Sequence, residues 1–124
     1  MLFDDLSKRV LECAIEVHKQ LGPGLLESTY QNCLAFELAQ QNVPFRKEVE
    51  LPVRYKGVSL ECGYRLDLLV DENLIVELKS VEELAPIHTA QLLTYMKLSG
   101  ISTGLLLNFN VTKLKDGGIK RYVL

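Results

Sequence analysis

The sequence has no tryptophan, few aromatic residues and no excess of positive charge. Aromatic residues make up 7% of the 124 positions, and 14 lysines and arginines face 16 aspartates and glutamates, for a formal net charge of -2. Proteins that bind nucleic acid through their own surface need a basic face, and those that bind single strands use aromatic stacking groups. The composition therefore predicts that the isolated chain binds DNA or RNA weakly.

Cysteine is scarce as well, since Cys13, Cys33 and Cys62 are the only three. They form no CxxC pair, which argues against a zinc knuckle or a cysteine-ligated cluster. Cys13 and Cys33 fall in helical patterns and Cys62 falls in a strand pattern. We therefore expect all three to be small buried hydrophobic residues.

The sequence also lacks a long apolar run. No uninterrupted apolar stretch approaches the roughly 20 residues that span a bilayer, and the chain begins with acids where a signal peptide carries bases. These absences predict a cytoplasmic protein without a membrane segment. A composition of 48% hydrophobic and 24% charged residues is typical of one globular domain. We expect that domain to cover residues 1–124 and to fold without metal.

The spacing of the apolar residues predicts an α/β fold with a mixed sheet. Helical spacing changes to the alternation of strands at Phe45, and Pro86 can begin a third helix that ends before Gly100. A strand, helix and strand in this order favours a right-handed parallel crossover. We predict about four to five strands and three helices, the first two joined by Gly22-Pro23-Gly24. The predicted helices are 5–21, 25–41 and 86–99, and the predicted strands are 45–54, 58–70 (bulged at Gly63), 74–80, 103–109 and 119–124.

Three charged residues stand out in the otherwise apolar strands 58–70 and 74–80. If residues 71–73 form the turn of a hairpin, Asp67 lies opposite Glu77 and Lys79 shares their face. Opposed side chains begin about 5 Å apart, so the two carboxylates could hold one hard cation. Without metal they repel, which raises the pKa of at least one. The alternative is an exposed cross-strand salt-bridge set, and a two-residue turn would break the register.

Three motifs in this order resemble a known superfamily. Asp67, a short turn and Glu77-Leu78-Lys79 resemble the PD-(D/E)xK nuclease signature, although Leu66 replaces the proline that often precedes the first aspartate. The segment Gly24 to Tyr30 is similar to the motif of the GxxExxY protein family, a branch of that superfamily. Gln91 to Tyr95 is similar to the QxxxY motif of RecB-like members. The resemblance spans nearly the whole chain and implies a restriction-endonuclease-like core.

The resemblance also implies roles for individual residues. Asp67 and Glu77 would be the principal ligands of Mg²⁺ or Mn²⁺, and Glu77 could also orient the water. Glu27 would be a third ligand of this metal, supplied from the second helix and lying in the same cleft as Lys79 and Gln91; its alternative is an exposed carboxylate at a helix start. Lys79 would lower the pKa of the attacking water or stabilise charge on the phosphate.

The remaining candidates have supporting roles. Gln91 would position Lys79 or a phosphate, and Tyr95 would pack at the floor of the cleft; the alternatives are a surface amide and a core aromatic. Tyr30 would pack in the core and fix Glu27 through its hydroxyl. His88 is a further candidate or an exposed histidine at a helix start, and Arg65 would meet a phosphate or pair with an acid.

The function implied by the resemblance is a metal-dependent phosphodiesterase that acts on DNA or RNA. The alternative is a nuclease-fold module that binds nucleic acid or a protein partner and hydrolyses nothing. Retention of both acids and the lysine favours the enzyme, because burying such a trio is costly. An iron-sulfur cluster, as in some RecB relatives, requires four cysteines near the domain ends and is not expected. The sequence is compatible with a monomer or a homo-oligomer, and with DNA or RNA as the substrate.

Overall fold

The computed structural model describes residues 4–124, so the first three residues of the predicted domain lie outside it. The elements are α1 (Asp5–Leu21), α2 (Glu27–Gln40), β1 (Phe45–Glu50), β2 (Val53–Tyr55), β3 (Val58–Leu60), β4 (Arg65–Val70), β5 (Leu74–Lys79), α3 (Pro86–Ser99), β6 (Thr103–Asn108) and β7 (Ile119–Val123).

A five-stranded sheet has the strand order β1, β4, β5, β6 and β7, and β2 and β3 form a separate two-stranded sheet. In the larger sheet β5 and β6 are parallel, whereas the other neighbours are antiparallel. The predicted mixed α/β fold and the parallel crossover are therefore confirmed.

Helices cover both faces of the sheet. Residues of α1 and α2 pack against one face, which includes Leu105 and Leu107 of β6. Residues of α3 pack against the other face, which includes Leu106. The central strands are therefore buried on both sides, as the unbroken apolar run in β6 predicts. Within residues 4–124, no helix combines the length and the apolar character that crossing a membrane requires.

The helix boundaries follow local capping signals. The side chain of Asp4 accepts a hydrogen bond from the Ser7 N–H at 2.7 Å and caps the start of α1. Gly22 follows the last residue of α1 and has a φ of 67°. Such a positive φ suits glycine, because glycine has no Cβ to clash. Helix α2 begins two residues later than predicted, so Leu26 has extended backbone and is 74% exposed. The helical spacing of residues 25–41 predicts that Leu26 faces the core, and this prediction is wrong.

The strand predictions for 45–54 and 58–70 are too long. The first breaks at Leu51-Pro52, because proline has no N–H to continue a ladder. The second breaks completely around Gly63, where a φ of 82° turns the chain and leaves β3 paired with β2 alone. Cys62 lies in this break and is exposed, contrary to prediction, whereas Cys13 is buried and Cys33 half-buried.

The hairpin of β4 and β5 has the predicted register. Val70 pairs with Leu74 and Leu68 pairs with Val76, around the three-residue turn 71–73. One further step along this register places Asp67 opposite Glu77. Regular pairing ends before that step. Strand alternation predicts that Leu66 shares the face of Leu68, but Leu66 packs with residues of α3 on the other face. The two strands thus separate where the charged residues begin.

Candidate active site

Asp67 and Glu77 lie where β4 and β5 separate. The Asp67 N–H donates to Glu77 Oε1 at 3.2 Å, and the Leu78 N–H donates to Asp67 Oδ2 at 2.9 Å. Side-chain oxygens thus accept hydrogen bonds from backbone N–H groups that would otherwise donate to backbone carbonyls of the neighbouring strand. Each carboxyl group is fixed by the neighbouring strand, which holds the two side by side.

The two carboxyl groups are buried enough to change their protonation. Glu77 is 4% exposed, and its burial, together with the negative charge of Asp67, raises its pKa to about 9. Burial also raises the pKa of Asp67, although the hydrogen bond from the Leu78 N–H opposes this effect. At neutral pH the pair therefore holds a proton. The alternative, an exposed cross-strand salt-bridge set, would leave these carboxyl groups in solvent, and the structure does not.

Lys79, Gln91 and Tyr95 form a chain of hydrogen bonds beside the pair. Lys79 Nζ donates to Gln91 Oε1 at 3.2 Å, and Gln91 Nε2 donates to the Tyr95 hydroxyl at 3.0 Å. Burial, followed by the charge that Glu77 carries when it is ionised, raises the pKa of Tyr95, so its hydroxyl keeps its proton. Among residues 4–124, no ion pair joins Lys79 to either acid. A neutral amide thus holds the ammonium group, whose positive charge lies close enough to oppose the rise in the pKa of both acids.

A cleft of about 660 Å³ opens on this side of the sheet. It lies along α3, and its lining joins polar groups of the site to apolar and aromatic side chains. Lys79, Gln91 and Tyr95 all reach it, so a molecule in the cleft can contact the hydrogen-bonded chain. The other lining residues are Val53, Tyr64, Ile87, His88, Ala90, Thr94 and Leu98.

Comparison with known protein families agrees with this geometry. A profile that describes the PD-(D/E)XK nuclease superfamily matches residues 4–122. The chain belongs to the PD-(D/E)XK nuclease superfamily. Searches of curated proteins and of solved structures found no match. The superfamily assignment therefore rests on almost the full length of this chain.

In this PD-(D/E)XK superfamily member, the paired carboxylates suit a hard divalent cation. They offer oxygen ligands from two strands at a buried position where their negative charges repel. Mg²⁺ is commonly held by one or two carboxylates, while water and substrate phosphate supply its other ligands. No group of three or more histidines, cysteines or acids within residues 4–124 is arranged to hold a metal ion. The fit therefore rests on Asp67 and Glu77 together with water and substrate.

The structure places Glu27 outside the cleft that contains Lys79 and Gln91. Glu27 is exposed at the first position of α2, where it borders a separate shallow depression with Ser80. Helix α2 packs on the face of the sheet opposite α3, which explains why its first residue does not reach the cleft. Ser80 directly follows Lys79 in the sequence, and its hydroxyl donates to the Leu25 carbonyl at 2.7 Å.

Tyr30 packs in the core as predicted, but its hydroxyl does not fix Glu27. The ring is fully buried and stacks on Phe109, with centroids 4.5 Å apart. The hydroxyl donates to the Gly22 carbonyl at 2.5 Å and accepts from the Leu25 N–H at 3.2 Å. Tyr30 therefore holds the loop between α1 and α2, and Ser80 ties the same loop to the end of β5.

Replacing Tyr30 with phenylalanine should destabilise the protein by about 1–2 kcal/mol, because two backbone groups lose their partner while the stacked ring remains. Urea denaturation measures this change. Tyr55→Phe is the matched control, since Tyr55 is 60% exposed and should change stability by less than about 0.5 kcal/mol. An equal effect of the two substitutions would show that the Tyr30 hydroxyl does not stabilise the loop.

The structure assigns His88 and Arg65 to structural contacts. His88 Nδ1 accepts from the Ala85 N–H at 2.9 Å and helps to cap α3, although the side chain also borders the cleft. Arg65 pairs with Glu50 and Glu61, which is the second of the two predicted alternatives.

Sequence reasoning missed Glu48. The register of β1 and β4 places it opposite Asp67, and its charge contributes to raising the pKa of Asp67 after the larger effect of burial. Its carboxylate accepts from Gln31 Nε2 at 2.9 Å. Only the pairing of β1 with β4 brings Glu48 near Asp67, so no local signal could have found it.

Proposed function

We propose that the protein is a divalent-metal-dependent phosphodiesterase that hydrolyses DNA or RNA. The observation that supports this most strongly is the buried carboxyl group of Glu77 beside the half-buried carboxyl group of Asp67, next to a lysine that is not ion-paired to either of them. Burying such groups together costs free energy in the absence of a ligand. A metal ion and a substrate phosphate would supply the missing opposite charges.

Each residue of the site then has a defined task. Asp67 and Glu77 would hold Mg²⁺ or Mn²⁺, which when bound polarises the phosphate and lowers the pKa of water. The backbone N–H groups of Asp67 and Leu78 orient these two carboxylates. Lys79 would stabilise the negative charge on the phosphate, and Gln91 would aim the ammonium group. Tyr95 would keep the Gln91 amide in the required orientation.

We further propose that the chain is a GxxExxY protein, although its Glu27 lies outside the cleft. Support comes from the loop that precedes Glu27. The Tyr30 hydroxyl accepts from the Leu25 N–H, and the hydroxyl of Ser80, the residue after Lys79, donates to the Leu25 carbonyl. The motif thereby connects the start of α2 to the end of the strand that carries Glu77 and Lys79.

The proposed activity is tested by incubating single- and double-stranded DNA and RNA with the protein and manganese or magnesium. We expect metal-dependent cleavage that chelator abolishes. Lys79→Ala should slow it by roughly 100- to 1000-fold, the range for removing one group that stabilises transition-state charge. Lys97→Ala is the control, because Lys97 is exposed on α3 and lies outside the cleft lining. Absence of cleavage with either metal on all four substrates would favour the module that binds without hydrolysis.

Binding of nucleic acid by the isolated domain should be weak and should depend little on salt. Among the described residues that line the cleft, Lys79 is the one lysine or arginine, and the whole chain carries a net charge of -2. Each neutralised phosphate contributes about 0.7–0.9 to the slope of log K against log salt, so a slope of about 2 or less is expected. A titration over a salt series measures it. A slope that corresponds to six or more phosphates would reveal a basic groove elsewhere, such as one formed across a homo-oligomer.

We also propose a cytoplasmic location. Cys13, Cys33 and Cys62 are all free, and Cys62 is exposed. Free exposed thiols are typical of reducing compartments.

A further inference from the structure

The cleft beside Lys79 has two chemically different parts. One part consists of the polar groups of Lys79 and Gln91, which belong to the proposed phosphate site. The rest is mainly apolar and is bordered by Tyr64, Ile87 and Leu98. Neither the metal ligands nor the groups that would contact the phosphate account for this second part.

Two large side chains in the apolar part are unusually exposed. Tyr64 is 45% exposed and Ile87 is 69% exposed. The Tyr64 ring is tilted by 58° against that of Tyr95, with centroids 6.0 Å apart, so it lies directly next to the hydrogen-bonded chain of the site. Exposed apolar groups that border a cleft mark ligand sites more often than scattered ones do.

The backbone presents the Tyr64 ring from a fixed position. Tyr64 lies in the break between β3 and β4, three residues before Asp67. Its carbonyl accepts hydrogen bonds from the Leu51 N–H and from the Arg65 guanidinium, both at 3.0 Å. In the same break the Gly63 N–H donates to Glu61 Oε1 at 2.7 Å. A ring held in this way loses little conformational entropy when a ligand stacks on it.

The neighbouring phosphate site decides what occupies the apolar part. A phosphate against Lys79 is covalently linked to a nucleoside, and the apolar side chains line the same cleft as this lysine. In a duplex the faces of the bases are stacked and paired, so they are not accessible to a side chain. In a single strand a base can leave the stack and place its face against an aromatic ring.

We propose that the substrate is single-stranded nucleic acid, and that an unpaired base next to the bound phosphate stacks on Tyr64 within this cleft. This inference rests on the proposed phosphodiesterase function and names the class of its substrate. Ile87 covers the base from the first turn of α3. One stacked base per site also agrees with weak binding, since the chain carries few other aromatic residues.

The test measures binding in chelator, where no metal-dependent hydrolysis takes place. The probes are labelled oligothymidylate and oligouridylate of about 12 nucleotides and a duplex of equal length, followed by fluorescence anisotropy at low salt. The parent should bind the single strands more tightly than the duplex. Tyr64→Ala should weaken single-strand binding by roughly 5- to 100-fold and leave duplex binding unchanged. Tyr64→Phe should retain binding.

Two further variants make the result specific. Ile87→Ala should weaken single-strand binding by roughly 2- to 5-fold, because it removes part of the apolar cover. Tyr55→Ala should have no effect, because Tyr55 is exposed but does not line the cleft. Thermal melts establish that each variant is folded, and Ile87→Ala together with Tyr64→Phe keeps the test valid should Tyr64→Ala fail to fold.

Three results would overturn the inference: tighter binding of the duplex, no binding of single strands at millimolar protein, or equal effects of Tyr64→Ala and Tyr55→Ala. Loss of duplex and single-strand binding to the same extent would indicate a general loss of the surface and would also count against it. Because binding is measured without metal, the two proposals can fail separately. Cleavage without dependence on Tyr64 removes this inference alone, whereas Tyr64-dependent binding without cleavage removes the proposed hydrolysis.

Discussion

Asp67→Asn is expected to abolish stabilisation by manganese and to reduce hydrolysis by about 1000-fold or more, while the metal-free protein becomes no less stable. The amide can still accept from the Leu78 N–H, and it removes the negative charge that helps to raise the pKa of Glu77. Metal bound at 100 times its dissociation constant stabilises the parent by about 2.7 kcal/mol. This corresponds to a rise in Tm of about 5–10 °C. The variant should lose that rise together with one of its two principal carboxylate ligands.

Thermal melts of the parent and Asp67→Asn, each with chelator and with millimolar manganese, measure both effects. Asp116→Asn is the matched control, because Asp116 is exposed in the loop before β7. It should behave like the parent under all conditions. A loss of about 1 kcal/mol in Asp67→Asn with no manganese effect in either protein would instead indicate a simple ion pair.

The pH dependence of the metal-free protein should be unusual for a carboxylate. The pKa of Glu77 is about 9 in the folded protein, above its ordinary value of 4.5. Between these values the unfolded chain has lost the proton and the folded chain keeps it. The unfolded state thus binds fewer protons, and the free energy of unfolding falls as pH rises through this window. Below pH 4.5 Glu77 is protonated in both the folded and the unfolded state, so this residue no longer makes the free energy of unfolding depend on pH.

Urea denaturation in chelator between about pH 5 and 9 measures this decline, which should amount to about 5 kcal/mol at roughly 1.4 kcal/mol per pH unit. Glu77→Gln should remove most of it, because glutamine accepts from the Asp67 N–H without titrating. Glu82→Gln, at an exposed position, serves as the control. In manganese the decline should be reduced or reversed, since metal requires the deprotonated carboxylates. Identical pH profiles for the parent and Glu77→Gln would mean that Glu77 is already ionised in the folded protein.

Local signals in the sequence predicted the parts of the fold that local physics controls. The limits of α1, the start of α3 at Pro86 and the turn 71–73 depend on caps, proline and turn length, all of which can be seen in short segments. The same turn sets the register of β4 and β5. Asp67 and Glu77 could therefore be placed opposite each other from the sequence alone.

Features that depend on distant pairing could not be predicted in this way. The break at Leu51-Pro52 can be predicted from the proline, whereas the separate sheet of β2 and β3 cannot be predicted from any short segment. Glu48 reaches Asp67 only because β1 pairs with β4. Tyr64 borders the cleft only because the chain turns at Gly63 and α3 packs alongside.

The GxxExxY motif shows the same limit at the level of single atoms. Its spacing indicated that Glu27 and Tyr30 share one face of α2, and Tyr30 is buried as predicted. The partner of the Tyr30 hydroxyl is nevertheless the loop at Gly22 and Leu25. Helical spacing defines a face, whereas the packing of α2 on the sheet decides what that face contacts.

The most direct test of the central claim, that Asp67 and Glu77 hold a divalent metal, is the crystal structure of the protein soaked in manganese at pH 7–8. We expect an anomalous peak between the two side chains, with carboxylate oxygens of both residues about 2.0–2.4 Å away. Lys79 should remain on Gln91, facing the position of the phosphate. No peak at this position in millimolar manganese would contradict the claim.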